Sequence, residues 1–249
     1  MSDGGRGGGT GSPPPDGDRP GDGPMRVAVL ASGSGTNFQA LLDRFGGEGD
    51  DAARVVLLVA SRDGIGAIDR AERAGVAWRA LGPSGRPEDE EARELLDVLG
   101  GSGAGLVVLA GYLRKVPVSV VRAYRGRMIN IHPALLPSFG GKGMYGHRVH
   151  EAVLASGARV TGPTVHFVDE EYDRGRIIAQ WPVPVLEGDD ADRLAERVLE
   201  VEHRILPAVV GALARGEVRL SGDGTCTWRE PWFPSDRFLA DGRGPGGPR

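Results

Sequence analysis

Val27-Ala28-Val29-Leu30-Ala31, then Ser32-Gly33-Ser34-Gly35-Thr36-Asn37, then Phe38-Gln39-Ala40-Leu41-Leu42: an apolar run, a small-residue loop and a stretch of helical spacing follow one another without a break. A short continuous apolar run suits a strand buried on both faces, as in a parallel sheet. The glycines allow a tight turn, and the uncapped start of a helix offers free N–H groups and partial positive charge. Two readings of the loop stay open at this level. It binds an anion through its backbone, or it is a plain strand-to-helix turn with an N-cap. A dinucleotide fingerprint wants a third Gly where Phe38 stands, and an acidic end to the next strand where Ala60-Ser61-Arg62 stands. A Walker loop would need Gly-Lys-Ser/Thr, which the stretch lacks. If the loop takes an anion, a monophosphate fits it better than either alternative.

Outward from this unit the pattern repeats. Apolar runs at 55–60, 106–110 and 128–131 alternate with helix-like stretches at 65–74 and 87–99. Such alternation predicts an α/β fold, a Rossmann-like and mostly parallel sheet with helices on both faces. Further on, Thr164–Val168 and Arg176–Trp181 read as strands around the turn chemistry of Tyr172-Asp173-Arg174-Gly175. They are expected to pair antiparallel and extend the sheet. A long amphipathic helix over about 191–214 closes the domain, with Leu194, Val198, Val201, Ile205 and Val209 on one face and a kink expected at Pro207.

The chain has 249 residues, is 40% hydrophobic and carries a formal charge of −4. That is enough apolar material for a sizeable core, with no basic bias toward nucleic acid. One cysteine, Cys226, leaves no intrachain disulfide and no Cys-rich metal site. No metal is expected. No apolar run reaches membrane-spanning length, and the N-terminus lacks the order of a signal peptide, so a cytoplasmic protein is the default. Residues 1–24 are dominated by Gly, Pro, Asp and Arg, and 241–249 are similar; both are expected to be disordered around a folded domain at 25–240. The oligomeric state is not legible, and a homodimer is one arrangement compatible with the chain.

Chemistry concentrates in Met128-Ile129-Asn130-Ile131-His132-Pro133. Asn130 and His132 are two apart on a strand and therefore share a face at its C-terminal end, where open α/β sheets bind ligands. They are either a structural polar pair satisfied by loop backbone or a reactive pair. In the second reading Asn130 donates to a carbonyl oxygen gaining charge, and His132 moves a proton. Asp173 by spacing alone is a turn residue. Its neighbours Asp169, Glu170 and Glu171 read as an ordinary solvated acidic loop.

Together these stretches resemble the phosphoribosylglycinamide formyltransferases, a branch of the folate-dependent formyltransferase family. The resemblance is carried by Val29–Asn37, Val108–Arg114, Asn130–Pro137, Thr164–Val168, Asp173-Arg174-Gly175 and Glu202-His203, in order between about Arg26 and Val210. It implies the formyltransferase fold and transfer of formyl from the co-substrate 10-formyltetrahydrofolate to the amine of phosphoribosylglycinamide. It places the catalytic set on Asn130, His132 and Asp173, and the ribonucleotide contacts on Gly35, Thr36, Asn37 and Glu202. The folate segment falls on Leu113, Arg114, Lys115 and Val116 with Asn130, and on Arg86 as the equivalent of an arginine before the third helix. Two departures stand out. The 140–146 loop is longer than in some members and reads as a lid with Gly hinges, and Leu199 is apolar where some relatives are polar.

From this resemblance Asp173 is expected to hold His132 as imidazolium by raising its pKa. A branched side chain at Gly35 is expected to raise the nucleotide KM. Rival readings are a formyltetrahydrofolate hydrolase, a methionyl-tRNA formyltransferase and a non-enzymatic nucleotide-binding module. The first two usually carry an added regulatory domain or a C-terminal tRNA-binding domain, neither of which is evident here.

Overall fold

β1 (Met25–Ala31) shows why the sheet is buried on both faces. Val27, Val29 and Ala31 enter one core layer, while Ala28 and Leu30 enter the other. The alternation is the period of two of a strand, here apolar in both phases. The computed structural model describes residues 23–46, 50–83 and 85–229. Of the segments expected to be disordered, residues 1–22 of the 1–24 extension and all of 241–249 lie outside those residues.

In chain order the elements continue with α1 (Thr36–Phe45), β2 (Ala53–Ala60), α2 (Gly66–Arg73), β3 (Ala77–Ala80) and α3 (Glu88–Gly101). Then come β4 (Leu106–Leu109), α4 (Val118–Ala123), β5 (Met128–His132), α5 (His147–Ala155), β6 (Val160–Thr161), β7 (Thr164–Phe167) and β8 (Ile177–Gln180). β9 (Val183–Pro184), α6 (Ala191–Ala214), β10 (Val218–Leu220) and β11 (Cys226–Trp228) complete the described chain. Seven strands form one sheet in the order β3-β2-β1-β4-β5-β7-β8. The pairs from β3 to β5 are parallel, and β7 joins β5 and β8 antiparallel. This matches the mostly parallel sheet with an antiparallel extension that the sequence predicts.

Residues of α1, α2 and α6 pack into one layer, and residues of α3 and α4 into the other. Phe38 and Leu41 of α1 are fully buried, each stabilising the fold by roughly 1.5–3 kcal/mol. A third cluster joins Val153 of α5 to Val183, Leu194, Val198 and Val201. α6 starts on an N-cap, Asp190, whose carboxylate accepts from Arg193 N at 2.8 Å, and it runs on through Pro207 to Ala214. No helix among the described residues is long and apolar enough to cross a membrane.

The strand order reverses direction between β1 and β4, which leaves a crevice at their C-terminal ends. Two hydrogen bonds tie the loops there. Ser32 N donates to Gly111 O at 3.1 Å, and Leu113 N donates to Ser32 Oγ at 2.9 Å.

Candidate active site

On β5, Ile129 and Ile131 enter the layer beneath α1 and α6, so Asn130 and His132 point to the opposite side. There they meet Asp173, from the turn between β7 and β8. Asp173 has φ +56°, a left-handed conformation that is uncommon outside glycine and is tolerated best by Asn and Asp. The next residues are constrained by the neighbouring strand: a Cβ at Gly175 would stand 1.7 Å from Phe167 O, which only glycine avoids.

The three groups form one network. Asn130 Nδ2 lies 3.5 Å from Asp173 Oδ1, and His132 Nδ1 lies 3.7 Å from Asp173 Oδ2. His132 Nε2 donates to Phe139 O at 2.8 Å, because a carbonyl can only accept. That leaves the neutral tautomer with its Nδ1 lone pair on the Asp173 side. The 140–146 loop is latched to the same carboxylate, with Gly141 N donating to Asp173 Oδ2 at 2.8 Å.

A further residue belongs to the network, although its spacing alone assigns it no role. His166 sits opposite Asn130 in the β5–β7 register, and its ring Nδ1 donates to Phe167 O at 2.8 Å. In the neutral ring Nε2 is then an acceptor, placed 3.1 Å from Asn130 Nδ2. His166 thereby fixes which end of the Asn130 amide is the donor. Its membership follows from strand pairing across 36 residues, which no local pattern reports.

Burial decides the charge states. Desolvation lowers the pKa of His132, and this outweighs the upward pull of Asp173 and of the bond to Phe139. The expectation that Asp173 holds His132 as imidazolium is therefore corrected. The carboxylate acts in the expected direction, but the ring is only 3% exposed and the cost of burying a charge is larger. Desolvation also pushes Asp173 upward. There His166, His132 and the Gly141 N–H together prevail, leaving the carboxyl below its usual value and ionised at neutral pH.

A cavity of about 410 Å³ opens on this network. Asn130, His132, His166 and Asp173 line it, as do Leu113, Arg114, Lys115 and Val116. Arg114 lines it with its guanidinium already held, donating to Leu81 O at 2.6 Å and to Glu91 Oε2 at 2.7 Å. Val116 is buried, whereas Leu113 is 56% exposed at the rim. Arg86 is not among the lining residues; it pairs with Glu94 on the surface of α3. The lid-like loop contributes Lys142 and Tyr145, and Tyr112 and Tyr172 also line the walls.

Gly35, Thr36, Asn37 and Glu202 do not line this cavity. They gather beside it, at the start of α1. Glu202 is buried, its carboxyl pushed up to about 7 by desolvation and partly restrained by Asn37 Nδ2, which donates to Oε2 at 2.6 Å. Asn37 Oδ1 is buried without a partner. Of the histidines flanking the lid, His147 is exposed and bonded to Asp192 at 2.7 Å. His150 is buried, and Arg148 lies over the Tyr145 ring.

The formyl transferase family model matches residues 25–210, a span that holds every residue of the network. The chain belongs to the formyl transferase family. Among curated members, the chloroplastic phosphoribosylglycinamide formyltransferase of Arabidopsis thaliana is 45% identical over 202 residues, covering 80% of this chain and 68% of its own length. The phosphoribosylglycinamide formyltransferase of Mycobacterium tuberculosis is 41% identical over 204 residues, covering 80% of this chain and 89% of its own length. Among solved formyl transferase structures, glycinamide ribonucleotide transformylase 1 of Symbiobacterium toebii superposes with a TM-score of 0.73 at 38% identity, over 80% of this chain and 92% of that one.

Proposed function

We propose that this formyl transferase moves the formyl group of 10-formyltetrahydrofolate to the amine of phosphoribosylglycinamide, giving the formylated ribonucleotide and tetrahydrofolate. The observation that carries the reading is the convergence of Asn130, His132 and Asp173 on one cavity beside the glycine loop. Its likeness to the plant and bacterial phosphoribosylglycinamide formyltransferases selects the substrate.

The reaction follows from the charge states. The substrate amine attacks the formyl carbon, and the carbonyl oxygen becomes an oxyanion. Asn130 turns the N–H now held loosely toward Asp173 onto that oxygen, while His166 keeps the amide oriented. The nitrogen that has attacked loses a proton to the free Nδ1 of His132. The imidazolium so formed is stabilised by ionised Asp173, which offsets the burial cost that kept the ring neutral. Collapse of the intermediate breaks the bond between the formyl carbon and N10, and that nitrogen takes the proton from the His132 imidazolium, which returns the ring to its neutral form. Leu113, Lys115 and Val116 line the folate side, and Gly35, Thr36, Asn37 and Glu202 hold the ribonucleotide. The enzyme acts in the cytoplasm, and a homodimer is one arrangement compatible with the chain.

The test is turnover of the formyl donor with and without phosphoribosylglycinamide. Turnover only with the nucleotide is the expected result. Formate release without it would identify a hydrolase, and binding of both compounds without turnover would leave a nucleotide-binding module.

A further inference from the structure

The glycine loop and the folate segment leave the C-terminal ends of neighbouring parallel strands, and Ser32 joins them. Ser32 follows β1, and Gly111 and Leu113 lie just beyond β4. The ladder between the two strands runs on past their ends: Ala110 N donates to Leu30 O at 2.9 Å, and Ser32 N donates to Gly111 O at 3.1 Å. Gly111 has φ +69°, a left-handed turn that glycine adopts without a steric cost. Two residues later the Leu113 N–H meets Ser32 Oγ at 2.9 Å. Ser32 therefore grips the folate segment with both its backbone and its hydroxyl, across 81 positions of sequence.

The two sides of this junction are not equally supported. The glycine loop is braced by α2: Ala67 N donates to Gly33 O at 3.2 Å, and Arg70 Nε donates to Ser34 O at 2.8 Å. The Leu113 side chain is 56% exposed and gives its segment little packing. Arg114 beside it is held from the opposite direction, by Leu81 O and Glu91 Oε2. The bond from Leu113 N to Ser32 Oγ thus refers the folate segment to the braced loop. Formyl transfer between two bound molecules needs reacting atoms about 3–3.5 Å apart and aligned, and a displacement of about 1 Å costs about a hundredfold in rate. A bond that fixes the spacing of the two substrate-binding backbones acts directly on that distance.

We propose that Ser32 is a positioning residue that sets the spacing between the two bound substrates, its hydroxyl holding the folate segment in register with the ribonucleotide loop. The inference rests on the function proposed above and deepens it. Its role is alignment and not affinity, because each substrate keeps its own contacts when the hydroxyl is removed.

The test uses the full chain. In Ser32→Ala kcat is expected to fall about tenfold. The Kd values of phosphoribosylglycinamide and of a non-transferable formyl-folate analogue, each titrated alone, are expected to stay within about twofold. A covalent adduct that joins the ribonucleotide amine to the folate N10 through a one-carbon bridge reads the spacing directly. Its affinity is expected to fall about tenfold in the same variant, in step with kcat. Ser32→Thr keeps a γ-hydroxyl and is expected to restore both quantities to within about threefold of the parent. Unchanged kcat and adduct affinity in Ser32→Ala overturn the inference and leave the proposed function standing. So does a loss confined to the Kd of one substrate, a lowered melting temperature with both separate substrates weakened, or no recovery in Ser32→Thr. Should Ser32→Ala not fold, hydrogen exchange in the unaltered protein decides: protection of the Leu113 amide supports the strut, and fast exchange there overturns it. Failure of the unaltered protein to formylate the ribonucleotide overturns both readings, and it appears in the control before any variant is measured.

Discussion

In the proposed mechanism Asn130 and His132 act on atoms that change charge during the reaction, and each role has a variant that tests it. Asn130→Ala removes the oxyanion donor and should lower kcat by about 10²–10³ with the fold intact. His132→Ala removes the proton acceptor and should cost a comparable factor. Normal turnover in either variant, with unaltered thermal melting, would remove that residue from the mechanism. Asp173 can be probed through pH. Its carboxylate raises the pKa of His132 against the stronger downward effect of burial. In the proposed mechanism neutral His132 is the active form, so kcat/KM should fall on the acid side as the ring takes up a proton below its ordinary 6.5. Asp173→Asn removes the upward pull, so the acid limb should move to lower pH while the plateau drops. A limb that moves to higher pH would show that Asp173 does not stabilise the imidazolium.

At the scale of an element, the turn from β1 into α1 is held by packing as well as by any ligand. Gly35 has φ +74°, and a Cβ there would stand 2.7 Å from Ala67 Cβ and 2.8 Å from Ala67 Cα on α2. A left-handed conformation costs a non-glycine residue about 1–2 kcal/mol, and the backbone contact adds to that. Gly35→Val is therefore expected to lose at least about 2 kcal/mol of stability in chemical denaturation, in addition to raising the ribonucleotide KM. The effect on KM alone, which the sequence suggests, is incomplete because Ala67 is remote in sequence and adjacent in space. Wild-type stability in Gly35→Val would show that α2 gives way at no cost.

Across the whole molecule, two buried groups set opposing pH dependences. His150 is lowered from 6.5 to about 4 by burial, with His147 and His132 adding to the effect, so acid favours the unfolded chain increasingly as pH falls through that window. Glu202 is raised from 4.5 to about 7, so rising pH favours the unfolded chain across that range, where the unfolded carboxyl ionises and the folded one does not. Each effect is on the order of 3 kcal/mol, and they largely cancel where they overlap. Glu202→Gln should thus gain on the order of 3 kcal/mol over the parent at pH 7.5 and almost nothing at pH 4.5, as read from urea midpoints. Equal gains at both pH values would place the Glu202 carboxyl outside the buried pair. The sheet, its helices and the pairing of β7 with β8 were legible in the sequence, because strand and helix periods record which side chains are buried. So was the shared face of Asn130 and His132, which a two-residue spacing on a strand requires. β3, α4 and α5 were not read, being short or weakly patterned elements defined by what packs beside them. By itself the sequence determined the alternating elements and the face of β5 that Asn130 and His132 share, since both depend on local geometry. Only the tertiary structure decided that His166 orients Asn130, that Arg86 stands apart from the cavity and that burial lowers the pKa of His132, because contact and desolvation depend on neighbours distant in the chain.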